Sequence, residues 1–264
     1  MKVVYVHGAG RQENRLLLKR RLDGHLFGSN QLERTILAYY SDVLHGEPEL
    51  PEDLEAPVSQ AARDIDRAFE ARAIEVAAAE PVVRLEEGVA GEEELPDPAF
   101  LILARLASRD VTDYLLGGRR DAVRAPVREA IQSAGTPAVV IAHSLGTIVT
   151  FDVLSQLGED ASEIPLFMTV GSPLGISNVR TRLVGGQPPP PAVPPTVARW
   201  ENVADPFDPV AVVQKLSTLF DPAGTIRDGN VNNAAFLNHD LTGYFDTELV
   251  RSLVRDALAV AVPG

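Results

Sequence analysis

Apolar positions in this chain fall into two alternating periods. Residues 2–6 and 137–142 are short, nearly continuous apolar runs rich in β-branched residues, the pattern of strands covered on both faces. Residues 32–40 and 197–203 read as further strands. Between and after these runs the apolar residues recur at helical spacing: over 11–22, over 119–134, and after the central strand at Ile148, Val149, Phe151, Leu154 and Leu157. A last helix is predicted over 246–260. Strands alternating with helices predict an α/β fold with a mostly parallel central sheet and helices on both faces.

Two stretches depart from this rhythm. Residues 47–53 are an acidic, proline-bearing loop, 59–79 an alanine-rich helix, 86–98 an acidic loop around Glu92-Glu93-Glu94, and 100–116 another helix. The excess over a plain crossover is about 60 residues, too long for an ordinary connection. It predicts a helical insertion over 57–118, ahead of the central strand, that caps the site and walls its pocket. The second is the proline run of residues 185–195, expected to be extended polyproline II without sheet pairing.

The candidate chemistry begins where the central strand ends. Ala142-His143-Ser144-Leu145-Gly146 places a serine at a strand-to-helix turn, with a small residue two positions away on each side. Bulky side chains would clash in so sharp a turn. This is the pattern of a nucleophile elbow, with alanine in place of the first glycine of G-x-S-x-G. Such an elbow lifts the Ser144 hydroxyl clear of the sheet at a helix N-terminus whose amides stabilise an anion. In nucleophile-elbow enzymes the partners follow in the order acid, then histidine. Of the five histidines, His239 alone follows Ser144, which makes it the candidate base. The acid falls between them. Asp205 and Asp208 lie in the loop after the predicted strand 197–203, at the carboxyl edge where α/β sites are assembled. Each also has a turn- or cap-forming explanation, because Asp before Pro starts turns. At the N-terminus, His7-Gly8-Ala9-Gly10 follows the first strand. Glycines there let the backbone turn an amide inward, so the amides of Ala9 and Leu145 are the candidate oxyanion hole. His7 is read as a support of that loop. Neither a Walker A lysine nor G-x-G-x-x-G follows, which argues against nucleotide binding.

Together Tyr5-Val6-His7-Gly8, Ala142 to Gly146, Thr169-Val170-Gly171-Ser172-Pro173-Leu174-Gly175, Asn202 with Asp208-Pro209-Val210, and His239 resemble the α/β-hydrolase superfamily of serine hydrolases. Within it the chain is most similar to lipase and esterase branches that include class 3 lipases and GPI-inositol-deacylase-like enzymes. The resemblance covers residues 1–40 and 137–260. It implies an α/β-hydrolase domain over 1–264 and selects Asp208, since that branch keeps its acid in an Asp-x-Val context. It implies ester hydrolysis through Ser144, Asp208 and His239, with a small-molecule or lipid ester as substrate and neither cofactor nor metal. Acyl transfer by the same triad, and a non-catalytic partner-binding module on the same fold, are the alternatives.

Composition narrows the rest. At 264 residues and 45 % hydrophobic content, the chain can bury one sizeable core. The absence of cysteine excludes disulfides and thiolate metal sites. A formal charge of −13 argues against nucleic-acid partners. No run approaches the ~18 apolar residues of a membrane span, so stable membrane insertion is not expected. Met1-Lys2 runs straight into a strand without a leader pattern, and a cytoplasmic location is the expectation.

Overall fold

The computed structural model describes residues 1–45, 110, 114–115, 118–158, 163–175, 177–180, 182–183, 190–206, 208, 210–211, 213–233 and 238–260. Among these residues six strands, β1 (Lys2–Val6), β2 (Thr35–Ala38), β3 (Ala138–His143), β4 (Leu166–Val170), β5 (Trp200–Ala204) and β6 (Ile226–Asn230), pair in the order β2-β1-β3-β4-β5-β6. Every neighbouring pair is parallel. The helices are α1 (Arg15–Phe27), α2 (Ser41–His45), α3 (Arg120–Ala134), α4 (Leu145–Leu154), α5 (Ser177–Arg180), α6 (Leu241–Asp246) and α7 (Glu248–Val260).

Alternation along the strands divides the core into two layers. Val4 and Val6 of β1 point to the same side as Val140 and Ala142 of β3, where they meet Val123, Val127 and Ile131 of α3 and Ile148 and Val149 of α4. Val3 and Tyr5, with Val139 and Ile141, face Leu18, Leu22 and Leu26 of α1 and Val250 and Val254 of α7. Both strands are therefore buried on both sides, which is why they read as apolar runs and not as alternations. Helix α4 is buried at every position and lacks a polar face.

Several boundaries differ from the sequence expectation, each for a local reason. Helix α1 starts at Arg15 and not at residue 11, because Asn14 caps it by accepting from the Leu16 amide. Gln12 is occupied elsewhere, donating to the Ala9 and Gly10 carbonyls. Gly28 closes the helix in the left-handed conformation. Strand β2 is limited to Thr35–Ala38: Tyr39 and Tyr40 leave the ladder, and their hydroxyls bond the Glu13 and His7 carbonyls. The last helix starts at Glu248 and not at residue 246, and a separate short helix, Leu241–Asp246, precedes it, with the extended Thr247 between them. Within the proline run, Ala192 makes a single parallel bridge with Asp221, so this part of the run does pair, unlike the unpaired extension expected. The helices predicted over 59–79 and 100–116, and the insertion 57–118 they belong to, lie outside the described residues except for 110, 114–115 and 118. One of these, Tyr114, is anchored on the main body: Asp152, buried in α4, accepts from the Tyr114 hydroxyl at 2.5 Å and, from α3, from Arg120 Nε at 2.8 Å.

This topology decides where a site can form. The chain leaves β1 for β2 on one side and later returns to β3 on the other, so the carboxyl ends of β1 and β3 form the switch point at which such sheets assemble sites. The His7–Gly10 loop and the Ser144 turn flank it. Their approach is extreme at Gly146, where an added Cβ would stand 2.3 Å from the His7 carbonyl oxygen and 2.8 Å from that of Val6. Gly146→Ala is expected to cost about 2–4 kcal/mol of stability, since backbone atoms would have to move. Gly24, inside α1 with open space around it, gives the opposite sign: Gly24→Ala should stabilise by up to about 1 kcal/mol. Urea unfolding of both variants checks the pair, and equal effects would refute the close-approach argument.

Candidate active site

Ser144 sits between β3 and α4 with φ 50° and ψ −127°, a conformation that L residues adopt only under constraint. The constraint is visible in its hydrogen bonds. Its amide donates to the Val170 carbonyl at 3.2 Å, and its carbonyl accepts from the Thr147 amide and from Thr147 Oγ1 at 2.9 and 2.7 Å. Since the Thr147 proton is committed there, Ser172 Oγ donates to Thr147 Oγ1 at 2.9 Å while accepting from the Leu174 amide. The Gly-Ser-Pro segment after β4 thus buttresses the turn. The side chain of Ser144 is not clear of cover as expected: the residue is 4 % exposed, because the backbone at Gly8 packs against its Cβ.

Asp208 and His239 meet beside this turn. Asp205 and Asp208 leave β5 in a tight turn closed by the Asp208 amide on the Asp205 carbonyl. Asp208 Oδ1 accepts from the Val210 and Ala211 amides at 2.8 and 3.2 Å, the capping role its Asp-Pro context suggests. Its Oδ2 accepts from His239 Nδ1 at 2.8 Å and from the Tyr244 hydroxyl at 2.6 Å. Asp205 points elsewhere: its Oδ2 accepts from the Asn233 amide at 2.5 Å, and its own amide donates to the Tyr244 hydroxyl. The structure brings Asp208 to the histidine and does not bring Asp205 there. Gly171, at the end of β4 with φ +54°, makes the room, since a Cβ would lie 2.8 Å from Asp208 Oδ2 and 2.9 Å from His239 Nδ1. His239 is held between Asn238, at φ 57°, and Asp240, which caps α6 through the Thr242 amide.

With Nδ1–H committed to a carboxylate, the imidazole keeps its lone pair on Nε2, the tautomer a general base needs. Burial alone would raise the Asp208 carboxyl, but His239 and the donors from Tyr244 and Val210 outweigh it and hold it below the usual carboxylate value. The Tyr244 hydroxyl is pushed up by burial and by the Asp208 charge, so it stays a donor.

The loop after β1 has its carbonyls tied back. Tyr40 donates its hydroxyl to the His7 carbonyl at 2.5 Å, and Gln12 donates to the Ala9 and Gly10 carbonyls. His7 accepts from the Tyr40 amide through Nε2, so its Nδ1–H donates to the Gly8 carbonyl at 2.7 Å, and its ring stacks on Tyr40 at 4.0 Å. The Ala9 and Leu145 amides have no hydrogen-bond partner among the described residues and remain available as donors. The Gly10 amide donates to Asp110 Oδ2 at 2.7 Å, and His45 Nε2 bonds the same oxygen at 2.8 Å. Asp110 belongs to the predicted insertion, so one described residue of that segment touches the loop.

Sequence reasoning missed Tyr244, Asp110 and His143. A tyrosine five residues past the candidate base was the available signal for the first, since a buried phenol requires a partner. Among the described residues no group of three or more His, Asp or Glu side chains converges as metal ligands do. No helix among them is long and apolar enough to cross a membrane. A groove of about 560 Å³ lies beyond β6, between Val231, Asn232, Thr242 and Leu249, and none of Ser144, Asp208 and His239 lines it. A scan against protein-family models and a search of curated proteins both find no match to the chain.

Two buried histidines make stability pH-dependent. Burial lowers His7 to about 4 and His143 to about 3, against 6.5 in the unfolded chain. Below 6.5 the unfolded chain therefore binds more protons than the folded one, and stability falls with pH. At about 1.4 kcal/mol per unit and per group, going from pH 7 to pH 5 should remove about 2 kcal/mol for each histidine. Asp208 acts in a lower window: its depressed folded value contributes stability that is lost only below the ordinary carboxylate range. Urea midpoints at pH 7, 6 and 5 test this, and a flat profile would contradict the buried-neutral assignment.

Proposed function

We propose that this chain is a serine hydrolase that cleaves carboxylic esters, built on an α/β-hydrolase fold. The observation that carries the reading is the Asp208–His239 pair, 2.8 Å apart, standing at the same sheet edge as a serine held in an elbow conformation. The strand order β2-β1-β3-β4-β5-β6, with the serine after the central β3, the carboxylate after β5 and the histidine ahead of the last helices, supports the fold assignment.

In this reading Ser144 Oγ attacks the ester carbonyl carbon while His239 Nε2 takes its proton. Asp208 keeps the imidazole in the required tautomer and stabilises its charged form. The Ala9 and Leu145 amides receive the oxyanion, at about 3 kcal/mol per donor. The tetrahedral intermediate collapses, the C–O bond to the leaving alcohol breaks, and His239 returns the proton to that alcohol. Water, deprotonated by the same imidazole, then attacks the acyl-enzyme and releases the acid and Ser144. No step calls for a metal or organic cofactor. The substrate is a small-molecule or lipid ester; an alcohol in place of water as acceptor would turn the same steps into acyl transfer.

Ser144→Ala should abolish ester hydrolysis and fluorophosphonate labelling while the protein stays folded, because one hydroxyl contributes little to packing. Asp208→Asn should lower kcat by about 10⁴ through the wrong imidazole tautomer. Asp205→Asn should lose little, since it does not touch His239. Labelling that survives Ser144→Ala, or a reversed ranking of the two aspartates, would overturn the corresponding assignment; absence of any labelling of the native protein would favour a non-catalytic module.

A further inference from the structure

We propose that His143, the residue before Ser144, is a positioning residue that holds the main chain of His239 and thereby fixes the distance between the base and the nucleophile. This inference rests on the hydrolase reading for its catalytic meaning, though the geometry stands by itself.

His143 is the last residue of β3, a strand paired on both sides by β1 and β4. Its Nε2 lies 2.7 Å from the carbonyl oxygen of His239, across 96 residues of sequence. A carbonyl only accepts, so Nε2 carries the proton and Nδ1 the lone pair. That Nδ1 side faces the loop after β1: a Cβ on Gly8 would come within 2.9 Å of it. The ring lies 4.6 Å from the His239 ring, centre to centre, and 6.4 Å from that of Tyr244. His143 is 8 % exposed, wedged between the loop carrying the Ala9 amide and the loop carrying the base.

His239 is therefore gripped at two points of different kind. Asp208 holds its side chain at Nδ1, and His143 holds its main chain at the carbonyl. Nε2 is the ring atom left without a partner among the described residues. Asn238, in the left-handed region, and Asp240, fixed as the α6 cap, flank this grip. The path from nucleophile to base is thus one peptide bond, one imidazole and one hydrogen bond. Among the described residues no other hydrogen bond joins the Ser144 turn to the His239 loop so directly. Placement of a base must hold to a few tenths of an ångström, and an error near 1 Å costs about 10²-fold in rate. Burial keeps His143 neutral, so no second positive ring opposes the charge that His239 takes up during the reaction.

The test compares His143→Phe, which keeps a ring of similar size without the donor, with His143→Gln, whose amide nitrogen reaches about as far as Nε2 and can donate. Expected for the Phe variant is a fall in kcat of about 10²-fold with KM changed by less than about threefold. The Gln variant should regain at least about tenfold of that loss. Proton NMR reads the geometry without any substrate: the low-field Nδ1 proton of His239, identified by its loss in His239→Gln, should be sharp in the native protein and in the Gln variant, and broadened in the Phe variant. If His143→Phe does not fold, His143→Asn, whose donor is too short to reach the carbonyl, replaces it. Wild-type kcat with an unchanged NMR line in the Phe variant would overturn the proposal. So would equal losses in the Phe and Gln variants with unchanged melting temperatures. If the native protein neither hydrolyses esters nor labels at Ser144, the hydrolase reading fails, and the NMR line alone then decides the positioning role: broadening upholds it and an unchanged line refutes it.

Discussion

The backbone of Gly146 runs so close to the Val6 and His7 carbonyl oxygens that no side chain fits between them. Everything at the sheet edge follows from this contact. It presses the first turn of α4 against the end of β1, which sets the Ser144 turn beside the Gly8–Ala9 loop. Two amides separated by more than a hundred residues are then brought to the same edge, both without a partner among the described residues. A looser approach would leave the same residues at the same edge without a common focus, and electrostatic stabilisation depends on donors fixed before charge develops.

Around that contact the site is built from buried polar groups whose hydrogen-bonding capacity is filled from several elements at once. Asp208 takes four donors, two from its own turn and two from the segment after β6. Tyr244 links Asp208 to the Asp205 amide, so the two aspartates that compete on sequence grounds are joined through one hydroxyl. On the α1 face, Asp23 is filled in the same way by Tyr5, Lys19, the Gln31 amide and Thr35. A buried carboxylate is tolerable only when so satisfied, and the return for that demand is rigidity.

The alternation of apolar runs with helical periods revealed the α/β class because β1 and β3 are buried on both faces, and burial is what hydropathy reports. The Ser144 turn was legible because its small flanking residues are a steric requirement of the turn itself. Between Asp205 and Asp208, local chemistry could not choose, since both precede a proline and both sit in turns; what separates them is a contact with a histidine some thirty residues on. His143 and Asp110 were illegible for the same reason. The carbonyl that His143 holds is 96 residues away, and the Gly10 amide that Asp110 accepts from is 100 away. The late start of α1 was hidden because Gln12, a good helix former, is drawn off to tie back two carbonyls of a neighbouring loop. Propensity yields where a tertiary partner outbids it.

The place of β1 inside the sheet has a consequence for how the chain is made. β1 and β2 leave the ribosome early, yet β1 cannot acquire its second neighbour until β3 emerges roughly 130 residues later, a wait on the order of ten seconds at usual elongation rates. Through that interval Val3, Val4, Tyr5 and Val6, all buried at the end, stay without the strand and most of the helices that cover them. Non-local parallel pairing of this kind is slow to form and exposed to wrong partners meanwhile. Strand β1, which leads into the candidate oxyanion loop, thus depends for its cover on a partner made long after it.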